Sequence, residues 1–125
     1  MKKIVSTAAA PAALGPYSQA VWAGDFLYCS GQLGINPKTG AMAGPDVISQ
    51  AVMALENIKA LLASQGLSLD NVVKTLVFLT DIGNFKAVNE EYAKYFRDDP
   101  PARSCVEVSS LPLGGAVEIE VIAHR

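Results

Sequence analysis

Arg103, Glu118 and Glu120 are the side chains of this sequence best suited to chemistry, and all three fall in its last quarter. Arg103 follows the rigid Pro100-Pro101-Ala102 and opens a strand-like run. An arginine there is ordinarily a solvated surface charge, but its planar fork is also suited to holding a carboxylate through two hydrogen bonds. Glu118 and Glu120 alternate with Val117, Ile119 and Val121, so the two glutamates share one face of a strand. Alternation assigns that face to solvent, whereas a glutamate lining a cleft becomes a proton carrier once burial raises its pKa. The sequence alone does not separate the two. What is scarce narrows the chemistry further. There is a single histidine, His124, and there are two cysteines, Cys29 and Cys105, each far from the other. No Cys/His zinc pattern is present, and a Ser-His-Asp or Cys-His nucleophile is disfavoured. Cys105 in particular has no neighbouring histidine in sequence to activate its thiol. An enzyme built from this chain works with carboxylates, a guanidinium, hydroxyls and backbone groups.

Composition sets the frame. The chain has 125 residues, 10 basic and 12 acidic side chains and a formal net charge of −2. Half of it is apolar and 18% is charged, which points to a packed core rather than disorder. The near-neutral balance argues against a basic groove for nucleic acid. No linker or repeat divides the sequence, so residues 1–125 are expected to form one domain. Lys2-Lys3-Ile4-Val5 and the alanines after it are too short and too interrupted to act as a signal peptide, and no apolar run approaches a membrane span. Both cysteines sit in apolar runs, which predicts free buried thiols in a reducing, cytoplasmic setting.

Seven elements are expected to position these residues. Tyr17–Val21 and Phe26–Ser30 flank the turn signal Gly24-Asp25 and predict a hairpin. Gly31–Pro45, with four glycines and Asn36-Pro37, reads as loop. Asp46 is a candidate N-cap, and Ile48, Val52, Leu55, Ile58 and Leu62 predict an amphipathic helix that stops at Gly66. Val72–Leu79 is apolar and β-branched enough for an interior strand. Phe85, Val88, Tyr92 and Phe96 mark a second helix, which Pro100-Pro101 terminates. Arg103–Val108 and Val117–Ala123 are the last strands. The order ββαβαββ predicts an α+β layer, with both helices on one face of a mixed sheet and a symmetric oligomer covering the other.

A resemblance adds to this reading. Gly15-Pro16-Tyr17-Ser18-Gln19-Ala20, Ser30-Gly31-Gln32, Asn36-Pro37-Lys38-Thr39-Gly40, Val88-Asn89 with Tyr92, Pro101 to Val108 and Glu118 to Ala123 occur in order over nearly the whole chain. Together they resemble the RidA (YjgF/YER057c/UK114) family. The resemblance implies a chorismate-mutase-like fold, a homotrimer with clefts between subunits, and hydrolysis of enamines and imines such as 2-aminoacrylate to 2-keto acids and ammonia. Such intermediates are released by pyridoxal-phosphate-dependent dehydratases. The resemblance implies no metal and no cofactor in this chain, while the charge balance and the lack of a long apolar run lead us to expect no nucleic-acid or membrane partner. It assigns the substrate carboxylate to Arg103 and the attacking water and protons to Glu118. Tyr17, Ser30, Gly31 and Asn89 line the cleft, and Cys105 contributes mainly its backbone. A non-enzymatic trimer binding small carboxylates, as a regulator or holdase, is the competing reading; a ribonuclease is the weakest. The segment from Phe96 to Pro101 is about three residues shorter than is common in the family, with Pro100 where a bulky residue is frequent. That difference bears on substrate range.

Overall fold

The computed structural model describes residues 1–125. Its longest helix, α1 (Val47–Ala63), begins where the Asp46 carboxylate accepts the Ser49 N–H at 2.9 Å. Gly66, at φ +73°, turns the chain away after it. Leu55, Ile58, Leu61 and Leu62 form its buried stripe. The shorter α2 (Phe85–Tyr95) buries Val88 and Tyr92, and Pro100-Pro101 prevents its continuation. Before those prolines Asp99 takes φ +46°, a left-handed turn that a short polar residue tolerates.

Around these helices run β1 (Lys3–Val5), β2 (Ala20–Ala23), β3 (Phe26–Cys29), β4 (Gln32–Leu33), β5 (Val72–Leu79), β6 (Ala102–Glu107) and β7 (Val117–His124). The sheet order is β1-β2-β3-β7-β5-β6, with β4 also paired to β7. Only β5 and β6 are parallel; the other pairs are antiparallel. The sheet is therefore mixed, as the sequence predicts.

Both helices pack on one face, where Val77, Leu79, Val117, Ile119 and Val121 meet the α1 and α2 stripes in a single core. Register places Tyr28 beside Ile122, Leu76 beside Glu120, and Phe78 beside both Glu118 and Val106 on the opposite face. That face is largely apolar and carries neither helix.

The structure departs from the sequence reading in three places. β1 pairs with β2 although the sequence reading left Lys3–Val5 unassigned. The first hairpin strand starts at Ala20 instead of Tyr17, because the Tyr17 N–H donates to the Gly15 carbonyl at 2.8 Å in a tight turn. The expected loop from Gly31 contains β4. There the hairpin strand breaks after Cys29 and resumes at Gln32, so that β3 pairs with residues 122–124 of β7 and β4 with 118–119.

Candidate active site

Arg103 is the second residue of β6, in register with Thr75 on β5, and its side chain lies on the helix-bearing face. There α2 receives it. Arg103 Nη1 donates to Asn89 Oδ1 at 2.7 Å, and the guanidinium carbon lies 4.8 Å from the ring centre of Tyr92 and 5.5 Å from that of Phe85. None of these partners carries charge, and Arg103 forms no salt bridge. The fork is thus oriented without being neutralised, which leaves its charge available to an anion. Cys105, two residues on and on the same face, completes this group. Burial pushes its thiol up in pKa, and the Arg103 charge works the other way.

Glu118 belongs to a second group. β7 holds it opposite Leu33 of β4, where the chain passes through Ser30-Gly31. A Cβ added at Gly31 would lie 2.7 Å from Glu118 Oε1, so the absent side chain is what admits the carboxylate. Glu118 is half-buried. That burial, reinforced by the Glu120 carboxylate on the same face, raises its pKa above the usual glutamate value. A cleft of about 260 Å³ opens here, lined by Pro11, Leu14, Tyr17, Gly31, Leu33 and Glu118 among others. Tyr17 is 52% exposed at its rim, and its hydroxyl accepts the Leu14 N–H at 3.2 Å. Ser30 is beside Gly31, but its hydroxyl is committed to the Ser18 carbonyl at 2.6 Å. A larger cavity, about 440 Å³, lies instead among Asp70, Lys94, Phe96, Arg97, Asp98 and Asp99; it touches the short segment before Pro100 but none of the candidate catalytic or substrate-binding residues.

Within one chain the two groups do not meet. Arg103 aligns with Thr75 and Val121, and Glu118 lies three residues farther along β7. Two strand spacings and three residue rises separate their Cα atoms by ~14 Å. Their side chains also leave opposite faces of the sheet. Arg103, Asn89 and Cys105 therefore form one group, and Tyr17, Gly31 and Glu118, with Ser30 beside them, form another.

Sequence reasoning missed the residues that brace these two groups. Gln19 accepts the Thr7 N–H at 2.7 Å and donates to the Thr7, Ala10 and Pro11 carbonyls at 3.0, 3.3 and 2.8 Å, pinning the outer cleft wall. Asn57 of α1 donates to the Ile35 and Leu33 carbonyls at 2.8 and 3.3 Å from behind the opposite wall. Tyr92, read as a core residue, also supports Arg103. The signal was present in part: Phe85, Asn89 and Tyr92, spaced by four and three, share one stripe of a helix.

Comparisons with known proteins agree with this architecture. The family model described as Endoribonuclease L-PSP matches residues 7–125. A 2-iminobutanoate/2-iminopropanoate deaminase of Capra hircus is 49% identical, over 98% of this chain and 90% of its own. A RutC family protein of Saccharolobus solfataricus is also 49% identical, over 100% and 99%. The crystal structure of a Rid family protein from Yersinia pestis superposes with a TM-score of 0.97 at 48% identity, covering both chains in full. That of E. coli TdcF with bound serine gives 0.93 at 43% identity, covering 98% of each. The chain belongs to the RidA family, the family of that Endoribonuclease L-PSP model, and has its fold.

Proposed function

We propose that this protein is a 2-iminobutanoate/2-iminopropanoate deaminase, hydrolysing reactive enamines and imines to 2-keto acids and ammonia in clefts between the subunits of a homotrimer. The observation that carries the reading is the un-neutralised guanidinium of Arg103, fixed by Asn89 and two aromatic rings. The name of the goat relative and the serine bound by TdcF are consistent with a small carboxylate substrate.

The chemistry needs little more than placement. An imine carbon is already electrophilic, so water adds once the nitrogen is protonated and the carboxylate is held. Arg103 holds the carboxylate. Glu118 takes a proton from the attacking water and returns it to nitrogen; the C–N bond of the carbinolamine breaks, and the ketone forms as the remaining hydroxyl proton passes to the departing ammonia, which leaves as ammonium. A carboxyl with a raised pKa suits both transfers. Because one chain keeps Arg103 and Glu118 apart, the complete site draws Arg103 from one subunit and Glu118 from its neighbour. The apolar sheet face supplies the surface that such association buries. Dehydratases that use pyridoxal phosphate are the upstream partners, and a cytoplasmic setting suits the two free thiols. No helix is long and apolar enough to cross a membrane.

Mixing two inactive variants tests the whole reading. Arg103→Ala and Glu118→Gln, each coupled to a threonine dehydratase, are expected to leave enamine decay unaccelerated. Co-refolded in equal amounts, they should regain about a quarter of the parental activity, since a random site takes an intact Arg103 and an intact Glu118 with even odds each. No recovery would refute the shared site. No acceleration of enamine decay by the parental protein, with carboxylate binding still dependent on Arg103, would favour the non-enzymatic regulator.

A further inference from the structure

Nothing in the proposed reaction explains why α2 sets a tyrosine beneath Arg103, with its hydroxyl in the middle of the sheet. Tyr92 is 7% exposed and Thr75 is fully buried, and their hydroxyls meet at 2.8 Å. Thr75 is also the register partner of Arg103 on the neighbouring strand. The hydroxyl that receives the ring and the arginine that rests on it are therefore adjacent points of one sheet. On its other side the Tyr92 ring packs against Phe96, with ring centres 4.7 Å apart. A phenylalanine would fill the same apolar volume, so packing does not account for the Tyr92–Thr75 bond. Burial raises the Tyr92 pKa, so the ring remains neutral and does not compete with an incoming carboxylate for the arginine.

We propose that Tyr92 is a positioning residue whose ring is the platform for the Arg103 guanidinium, and that Thr75 moors this platform to the sheet. The inference rests on the reading of Arg103 as the carboxylate anchor. An aspartate at the same place would orient the fork equally well but would neutralise it. A ring face holds a guanidinium by its quadrupole and leaves the net charge intact. Asn89 takes one donor of the fork, and the remaining N–H groups stay free for the substrate.

The test compares Tyr92→Leu, Tyr92→Phe and Thr75→Val by calorimetric binding of 2-oxobutanoate and by steady-state kinetics. Removing the ring in Tyr92→Leu should raise Kd and KM about five- to ten-fold and leave kcat within about two-fold. Tyr92→Phe restores the platform without its mooring, so Kd should rise only about two-fold. Thr75→Val should match it, and the double variant should add nothing, because both changes remove the same bond. An unchanged Kd in Tyr92→Leu would reduce Tyr92 to a core residue, and additive losses in the double variant would refute the mooring. The platform also has a signature independent of activity. Ring-current shifts of the Arg103 side-chain protons should vanish in Tyr92→Leu and persist in Tyr92→Phe. If those shifts behave as expected while Arg103→Ala binds 2-oxobutanoate normally, the carboxylate-anchor reading fails and the platform stands.

Discussion

Replacing Gly31 with alanine separates the placement of Glu118 from the stability of the fold. The new Cβ would stand 2.7 Å from Oε1, 2.8 Å from Cδ and 3.0 Å from Cγ of Glu118. Ordinary contact begins at 3.4 Å, so the carboxylate must retreat by 0.7 Å (3.4 − 2.7). Because Cγ is also crowded, the whole side chain must swing. A displaced rotamer costs on the order of 0.5–1.5 kcal/mol, which the fold can absorb. Catalysis is less forgiving, since misplacing a reacting group by about 1 Å costs up to 10²-fold. Gly31→Ala is therefore expected to lower kcat roughly 10- to 100-fold, equivalent to about 1.4–2.7 kcal/mol at the transition state. Binding of 2-oxobutanoate should stay near parental, because Arg103 belongs to the other half-site. The dehydratase-coupled assay reads the rate, and thermal unfolding reads the fold. Parental kcat in Gly31→Ala would refute the reasoning. So would a further loss on adding Gly31→Ala to Glu118→Gln, because two changes acting through one carboxylate should not add.

Three further outcomes are expected. Glu120→Gln removes the lesser of the two causes that raise Glu118, so the acid limb of the kcat–pH profile should move to lower pH without reaching that of a free carboxylate. The folded state holds the Glu118 proton above the pH at which the unfolded chain releases it. Stability therefore falls as pH rises from the ordinary glutamate pKa through the raised one, and urea midpoints measured across that window should fall less in Glu120→Gln. Gly34→Ala should lower stability by about 1–3 kcal/mol while sparing activity per folded molecule, because its Cβ would collide with the Gln50 backbone of α1, which cannot swing aside. An unchanged melting temperature would show that α1 gives way. Burial pushes the Cys29 thiol up to about 12, so iodoacetamide should modify Cys105 first and Cys29 only on unfolding, as read by mass spectrometry; equal rates would contradict the burial assignment.

The elements most legible in the sequence were those whose own residues carry the signal. Val72–Leu79 is a strand over the residues expected, and α1 begins at its anticipated cap, Asp46. β1 and β4 were illegible for a physical reason. Each is too short to show periodicity, and each exists because a partner strand offers unpaired backbone: β2 for Lys3–Val5 and the 118–119 stretch of β7 for Gln32–Leu33. The site divides in the same way. Arg103 and the pair Glu118 and Glu120 stood out by residue type and spacing, and only the family resemblance singled out Glu118. Their separation onto opposite faces follows from the parallel register of β5 with β6 and the antiparallel register of β5 with β7, which no local pattern encodes. Gln19 and Asn57 act on backbone carbonyls scattered through other segments, and only the folded chain brings those carbonyls to them.

The position of β7 also constrains how the chain folds. The last strand in sequence is the middle of the sheet: β3, β4 and β5 each pair with it, and neither β3 nor β4 pairs with β5. A growing chain can form the β1–β2–β3 meander and the helices early, but those pieces have no strand to join them until Val117 onward has been made. The sheet then closes through contacts between residues as distant in sequence as Phe26 and His124, and such non-local pairing is slow. During synthesis the apolar edges that await β7 stay open. The nascent chain is most exposed to aggregation just before β7 emerges, and loss of that strand removes the centre of the sheet rather than its rim.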